Sequence, residues 1–419
     1  MKHPADWSYK RLEDVVSRKK YAMVDGPFGS NLKSEHYKSE GVPVLQSGFV
    51  TSGKFSADKY VYVDHQLFNE QKRSAAKGGD ILMAKIGAQA GRCAIIPQSH
   101  PEAIIAGNCL KLSFDDNDTE FFSFVLCFNY ERDGLSEIKT ETAQPAISLK
   151  SLKAYRVPVP PLLEQKKIAK ILSTWDKAIS TTEQLLANSQ QQKKALMQQL
   201  LIGKKRLLDS NGVRFSGDWK QVKLSKIFER VTTKNDGKST NVVTISGQQG
   251  LIRQEDFFKK SVASDILDGY FLLMKGQFAY NKSYSNGYPM GAIKRLNRYA
   301  DGVVTTLYIC FEISESTKAN GDFWEHYFES GLLNKGLSQI AHEGGRAHGL
   351  LNVKPTDFFL LKVPLPSLDE QQKIAAVLST SDQEITTLQQ NLDALKLEKK
   401  ALMQQLLTGK RRVKTEEVL

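Results

Sequence analysis

Four glycine-rich loops carry residue types that could bind nucleic acid. They span residues 26–33, 85–92, 281–288 and 343–349. Glycine lets a backbone approach a ligand closely, lysine and arginine neutralise phosphates, and amide or guanidinium groups pair with base edges. Each residue could also belong to an ordinary surface turn, so the prediction concerns the loops as a set. The candidate DNA-binding residues are Ser30, Asn31, Lys33, Lys85, Gln89, Arg92, Asn281, Lys282, Tyr284, Asn286, Arg346 and His348.

Motifs that would indicate catalysis are missing or incomplete in the sequence. His342 and Glu343 begin an H-E-x-x-H zinc motif, but Arg346 stands where the second histidine belongs. Glu137 and Lys139 fit the E-x-K pattern of a nuclease half-site, a pattern so short that it arises by chance. The sequence has no phosphate-binding loop, nucleophile elbow, Cys-x-x-Cys pair or Asn-Pro-Pro-aromatic motif. We therefore expect no catalytic residue, no metal site and no cofactor in this chain.

The sequence contains a long internal repeat, which supplies the elements that must position the loops. Residues 157–207 recur without a gap 206 positions later, at 363–413, and 29 of the 51 aligned positions are identical. The segments that precede these copies have similar lengths but match only in fragments. The repeat predicts four parts: an N-terminal domain (1–156), a central helical connector (157–207), a C-terminal domain (208–362), and a C-terminal helical connector with a tail (363–419).

Each connector has the pattern of a long coiled-coil helix. Apolar residues recur at alternating spacings of four and three, in the same register in both copies. Ser367 and Glu370 have the form of a capping box, and Gly203 and Gly409 stand where C-terminal caps belong. A helix of about 39 residues is roughly 60 Å long. Because each connector follows its own domain, an antiparallel pair of helices would put one domain at each end with an approximate two-fold axis between them, whereas a parallel pair would crowd both domains at one end.

The repeated block KKALMQQLL is identical even at positions that lie off the heptad seam. The simpler interpretation is a coiled coil that only holds the molecule together, with a solvated glutamine face. Packing of one helix pair would, however, constrain only the seam, so a second contact with a partner is the better prediction. The candidate partner-binding residues are Gln198, Gln199, Gln404 and Gln405.

The two variable domains read as α+β. Strand-like runs lie at 43–45, 60–63, 80–84 and 103–106, and aromatic-faced helical stretches lie at 120–130 and 322–328. Fragments such as GDILMAK at 79–85 and GQFAYNK at 276–282 correspond between the domains. The predicted fold is two globular α+β domains separated by a pair of long antiparallel coiled-coil helices.

Charge and composition limit the possible classes. The chain has 419 residues with 41% hydrophobic side chains, which excludes a disordered or collagen-like chain, and 58 basic against 46 acidic residues give a net charge of +12 that favours an acidic partner. Four scattered cysteines fit buried thiols in a reducing compartment. No apolar run approaches the ~20 residues of a membrane span, so we expect a cytoplasmic protein without a membrane partner.

The repeated motifs resemble the specificity subunit of type I restriction-modification enzymes. The resemblance rests on the V-P-x-P…E-Q-x-K-I-A entries at 157–169 and 363–375 and on the L-M-Q-Q-L-L-x-G-K helix ends at 196–204 and 402–410. The stretch AQPAIS at 143–148 is also typical of that family. The likeness covers essentially the whole chain, and the doubled motifs at this spacing are highly specific.

The resemblance implies two target-recognition domains, each of which reads one half of a split, asymmetric duplex DNA sequence. The helices would set the gap between the halves and dock two modification (methyltransferase) subunits, with restriction subunits joining further out. Methyl transfer from S-adenosylmethionine and ATP-driven translocation and cleavage would belong to those partners. A second interpretation is a structural adaptor whose coiled coil bridges two protein-binding domains without touching DNA.

Overall fold

The chain folds into two compact units. The first contains residues 1–182 and 391–419, and the second contains residues 183–390. The computed structural model describes residues 4–27, 29–140, 143–258, 267–343 and 351–414. Both units combine helices with β-sheets, so the predicted α+β class is confirmed, and the two long helices contribute to both units.

The first unit begins with a strand that pairs with the strand leading into the first long helix. Its elements are β1 Ser8–Arg11, β2 Met23–Asp25, β3 Val42–Leu45, β4 Tyr62–Val63, α1 His65–Glu70, β5 Ala75–Ala76, β6 Ile81–Ala84, β7 Cys93–Ile95, β8 Ala103–Ile105, β9 Cys109–Leu112, α2 Thr119–Glu131, α3 Leu149–Ala154, β10 Arg156–Val159 and α4 Leu162–Leu200, whose second half lies in the other unit.

The second unit repeats this plan with more hairpins. Its elements are β11 Lys220–Lys223, β12 Phe228–Val231, β13 Val243–Ser246, β14 Gly250–Arg253, α5 Gln254–Phe258, β15 Phe271–Met274, β16 Phe278–Asn281, β17 Ala292–Arg295, β18 Asp301–Val304, β19 Ile309–Ile313, α6 Gly321–Glu329, α7 Asn334–Ile340, β20 His342–Glu343, β21 Leu351–Asn352, α8 Pro355–Leu360, β22 Lys362–Leu365 and α9 Leu368–Leu406, whose second half lies in the first unit.

A four-stranded antiparallel sheet of the same order occurs in both units. The order is β2-β9-β6-β7 in the first unit and β12-β19-β16-β17 in the second. The matching fragments GDILMAK and GQFAYNK supply β6 and β16, which occupy the same place in the two sheets. Strands β1 and β10, and likewise β11 and β22, form a two-stranded ribbon beside the start of a long helix.

Buried aromatic and aliphatic side chains hold each sheet to its helices. In the first unit, Phe121 and Phe122 of α2 pack in one core with Ile168 and Leu172 of α4 and with Leu406 of α9. In the second unit, the corresponding core joins aromatic residues of α6 to the residues related by the repeat, Ile374, Leu378 and Leu200. Burying these apolar surfaces supplies most of the stabilisation, at about 25 cal/mol per Å².

Within each unit the two long helices run antiparallel. Lys399 Nζ lies 2.7 Å from Asp176 Oδ1 in the first unit, and the repeat-related pair Lys193 and Asp382 forms the same ion pair in the second. Because each pair joins a residue late in one helix to a residue early in the other, the chain directions must oppose.

A junction of the same residue types closes the helix pair in both units. Glu164, which is 1% exposed, accepts hydrogen bonds from Trp7 Nε1 (3.0 Å) and from Arg412 Nε and Nη2 (2.7 and 2.8 Å). Glu370, also 1% exposed, accepts from Trp219 Nε1 (2.9 Å) and from Arg206 Nη2 (2.7 Å).

The helix ends follow the sequence signals, with one difference. Gly203 and Gly409 have φ angles of 72° and 70°, which are the left-handed values of a C-terminal cap. Ser367 Oγ accepts the Glu370 backbone N–H at 3.4 Å, but the Glu370 carboxylate does not reach back to close a capping box. Arg206 binds it instead, because a buried charge-assisted pair is stronger than a bond to one backbone N–H.

Candidate nucleic-acid interface

The sheet topology brings two of the predicted loops to one edge of the first unit. Strands β2 and β6 both run antiparallel to β9, so their C-terminal ends lie at the same sheet edge. The loop of residues 26–33 follows β2 and the loop of residues 85–92 joins β6 to β7 at that edge. We call this the loop edge. Backbone bonds fix both loops to the start of β9: Gly26 N–H donates to Cys109 O (3.1 Å), and Lys85 N–H donates to Asn108 O (2.8 Å).

The second unit has the equivalent loop edge. Strands β12 and β16 run antiparallel to β19, and the loop after β16 carries the predicted residues 281–288. A backbone bond is repeated as well. Lys85 O accepts from Ile147 N–H, and Lys282 O accepts from Leu351 N–H, both at 2.9 Å. The two units therefore present loops of different sequence on the same scaffold.

The first loop of the first unit has exposed residues in its second half. Ser30 lies in a short 3-10 turn, Gly29–Asn31, and the side chains of Asn31 and Lys33 reach solvent. The Lys33 ammonium lies 3.5 Å from Glu35, an exposed ion pair that contributes little and leaves the lysine able to exchange partners.

Lys85 differs from the other candidates because it is buried. Its ammonium lies 3.0 Å from Asp25 Oδ2, and Arg73 Nη2 lies 2.9 Å from the other oxygen of the same carboxylate. The ion pair ties the end of β6 to the end of β2 beneath both loops. We therefore assign Lys85 a role inside the fold, and its burial disfavours a direct DNA contact.

Gln89 and Arg92 meet on one aromatic ring. The Arg92 guanidinium lies 4.6 Å from the centre of the Tyr130 ring, and the Tyr130 hydroxyl donates to Gln89 Oε1 at 3.0 Å. Lys139 Nζ lies 5.0 Å from the same ring. Cation–π contacts of this kind contribute about 0.5–2 kcal/mol, enough to hold the two loop side chains in a restricted geometry.

The loop of the second unit is anchored by Tyr288. Its hydroxyl accepts from Lys294 Nζ (2.9 Å) and lies 2.7 Å from Gly247 O and next to Glu329. With this anchor in place, Tyr284 is 62% exposed and Asn286 is exposed.

Asn281 and Lys282, at the base of the same loop, are half-buried, and burial lowers the pKa of Lys282. The remaining candidates, Arg346 and His348, lie outside the described residues.

The side chains that shape these loops were not predicted from the sequence. Tyr130 and Lys139 lie 38 or more positions from Arg92 along the chain, and Asp25 lies 60 positions from Lys85. No local motif links them, because the sheet order creates these contacts. The nearest signal was the aromatic face of helix α2, on which Tyr130 lies one residue before the C-terminal end of the helix.

The predicted partner-binding glutamines are exposed. Gln198 and Gln199 lie near the C-terminal end of α4, and Gln404 and Gln405 lie at the same place on α9. Next to them, the apolar residues of the repeated block, such as Leu200 and Met403, are buried. The block therefore has one face in the core and one face available to another molecule.

Groups with catalytic or metal-binding potential are sparse in the described structure. Among the described residues, no group of three or more His, Cys, Asp or Glu side chains is placed to hold a metal ion. Cys93 and Cys127, distant in sequence, have their sulfur atoms 3.7 Å apart between β7 and α2. Within the described ranges, no helix has the length and apolarity to cross a membrane.

The same sequence model matches this chain twice. The model of the type I restriction modification DNA specificity domain matches residues 4–188 and 216–397, which together make up most of the chain. The chain belongs to this family of type I restriction-modification specificity subunits. Each match spans one variable region and most of the long helix that follows it.

Individual relatives share the full length of this specificity subunit. The MjaVIII type I restriction enzyme specificity subunit of Methanocaldococcus jannaschii is 23% identical over 98% of this chain and 94% of its own. A crystal structure of a type I S subunit from M. genitalium has a TM-score of 0.57 at 15% identity, covering 97% of this chain and 98% of that one.

A second solved chain has a TM-score of 0.54 at 16% identity. It comes from a structure that describes the complex assembly and conformational transition of the type I R-M system. The match covers 98% of this chain and all of that one. At these identities the two solved structures support the fold.

Proposed function

We propose that the regions 1–156 and 208–362 each read one half of a bipartite, asymmetric duplex DNA target. The observation that carries this proposal is the pair of equivalent loop edges, which share a sheet order and backbone anchors but differ in their exposed side chains. A common scaffold with different reading side chains suits two different half-sites. Base edges in the major groove supply the sequence information that such side chains can distinguish.

A hybrid protein tests this proposal. Residues 1–156 are exchanged for the corresponding region of another family member, and methylated sites are mapped in cells that express the hybrid with its modification subunits. We expect one half-site to change and the other to stay the same. A hybrid that keeps both of its original half-sites overturns the proposal.

We further propose that the paired helices set the number of base pairs between the half-sites. Each helix has 39 residues, and its repeat-related ion pairs fix the register of the pair. Inserting about four residues, one helical turn, near Gln190 should lengthen the tolerated gap while both half-sequences remain. A gap that does not change argues against this role.

The exposed glutamines fit a docking role for two modification subunits, one at each repeated block, with restriction subunits joining further out. Replacing Gln198 and Gln199 by alanine should weaken co-purification of a modification subunit without changing thermal unfolding. The same change at Gln404 and Gln405 provides the matched second site. We propose that the chain is not itself an enzyme and binds no cofactor, and that S-adenosylmethionine and ATP are used by the partners.

Salt dependence separates this function from that of an adaptor that never contacts DNA. A complex with several phosphate contacts loses affinity for its target steeply with added salt. An adaptor would show no specific binding to duplex DNA, so it would have no such salt-dependent affinity for a target.

A further inference from the structure

We propose that Arg92 reads a guanine in the half-site of the first unit and that Tyr130 is its positioning residue. The proposal rests on the proposed function and names the base class and the side chain for one position of the target.

The loop places Arg92 at the loop edge in a fixed conformation. Gly91 precedes it with a φ of 98°, and a side chain at Gly91 would come within 2.9 Å of Leu135 and 3.2 Å of Tyr130. The turn therefore needs glycine, and the next residue leaves it in one direction. The Tyr130 ring, 4.6 Å from the guanidinium, supports the planar group from one face.

The guanidinium keeps its hydrogen-bond donors for another molecule. Arginine carries five N–H donors. Among the described residues, Arg92 makes no side-chain hydrogen bond, its Nε is buried without an acceptor, and the closest carboxylate, that of Glu131, is 4.0 Å from Nη1. A buried donor without a partner is uncommon in folded proteins. Because Nε is buried, a bound base would meet the terminal Nη groups of this side chain, which is 27% exposed.

The neighbouring groups favour guanine over adenine. Guanine presents two acceptors, O6 and N7, in the major groove, whereas adenine presents an acceptor and a donor. Gln89 Oε1 already accepts a hydrogen bond from the Tyr130 hydroxyl, so the side-chain N–H groups of Gln89 are the ones that can donate to a base. Lys139, on the same ring, adds a cation. A cluster of donors around a planar arginine fork matches the two acceptors of guanine.

The experiment uses the full chain assembled with its modification subunits. Selection from a randomised duplex library gives the wild-type target, and affinities are then measured for duplexes with each base substituted in turn. At one position in one half-site, we expect the wild type to prefer guanine roughly 10- to 100-fold. Arg92→Lys keeps the charge but loses the fork, so the preference should fall to about threefold or less, with the other half-site unaffected.

Two matched variants separate reading from general damage. The Arg132 guanidinium lies 5.1 Å from the centre of the ring of Phe128, which is in α2 like Tyr130. Arg132→Lys should leave the base preference at every position of the target unchanged. Tyr130→Phe keeps the ring and should keep the guanine preference, whereas Tyr130→Leu should reduce it at the same position only. The unchanged preference for the second half-site reports that the complex is assembled and folded in each variant.

Three results would overturn the inference. They are a first half-site that contains no guanine, an Arg92→Lys complex that keeps its full guanine preference, and a loss of affinity that is equal for all sequences, as expected of a phosphate contact. A wild-type complex that selects no two-part sequence would instead refute the proposed function.

Discussion

The two junctions at Glu164 and Glu370 make a quantitative prediction, because the same carboxylate has different surroundings in the two units. When Glu370 is replaced by alanine, Arg206, whose side chain is 19% exposed, loses its only carboxylate partner in the described structure and keeps the backbone oxygens of Gly217 (2.7 Å) and Ser216 (3.5 Å). Trp219 loses its acceptor as well. Breaking a buried pair in this way costs about 3–5 kcal/mol.

The same change at Glu164 should cost less. Arg412 also pairs with Asp6 at 2.6 and 2.8 Å, and this pairing lowers the pKa of Asp6. With Glu164 removed, Arg412 therefore keeps a charged partner, and its side chain is 41% exposed, so water can solvate it. Because Asp6 and water compensate Arg412, the main remaining loss is the hydrogen bond of the Trp7 indole to a charged acceptor, about 1.5–3 kcal/mol.

Hydrogen exchange in rising urea, read by mass spectrometry, checks this difference because it reports each unit separately. Peptides from β16 and β19 follow the second unit, and peptides from β6 and β9 follow the first. Glu398→Ala, an exposed position on α9, is the control and should change neither. A loss for Glu164→Ala that equals or exceeds the loss for Glu370→Ala would refute the reasoning.

Substitutions at four further positions test three other features. Burial lowers the pKa of His326, and the nearby Lys193 lowers it further, so the folded state favours the neutral imidazole. The stability that this group contributes to the second unit is therefore lost as the pH falls below about 6.5. His326→Phe should make the thermal unfolding of the second unit less sensitive to acid, and an unchanged dependence of the melting temperature on pH contradicts this. Lys85→Met should destabilise the first unit by about 1–2 kcal/mol and Lys33→Met by under about 0.5 kcal/mol in urea unfolding, because Lys85 is buried and its loss leaves the Asp25 carboxylate with Arg73 alone, whereas Lys33 is exposed. Equal losses would show that the pair of Lys85 and Asp25 is not structural. Gly203→Ala should cost about 1 kcal/mol through its positive φ, and a neutral result in thermal melting would exclude a strained cap.

The long helices were the most predictable part of the fold. The heptad pattern placed Ile168, Leu172 and Leu200 on one seam, and all three are fully buried. The pattern did not reveal that Ser189, a polar seam position, is also buried and donates to Glu384 at 3.0 Å. Periodicity reports which face is buried, but a polar pair inside the seam depends on the partner helix and its register.

The repeat predicted that the two variable regions share a plan, but not how they are held. Asp6-Trp7 and Asp218-Trp219 were visible as matching fragments, yet their indole bonds to Glu164 and Glu370 required the folded junction. Arg206 likewise binds Glu370, a residue 164 positions away along the chain. Short motifs identify residue types that are shared by the two copies of a repeat, whereas the hydrogen-bond partners of those residues come from distant parts of the chain.

The loops show the same limit and explain why a list of loop residues is not a list of DNA contacts. Lys85 and Arg92 belong to one glycine-rich loop and have the same charge, but Asp25 satisfies Lys85 inside the fold while Arg92 rests on Tyr130 with its donors unused among the described residues. Residue type alone treats the two as equivalent. What distinguishes a reading side chain is a geometry fixed by the scaffold together with hydrogen-bonding capacity that the scaffold leaves unfilled. In the second unit, the corresponding candidates are Tyr284 and Asn286, which are exposed on a loop that Tyr288 anchors.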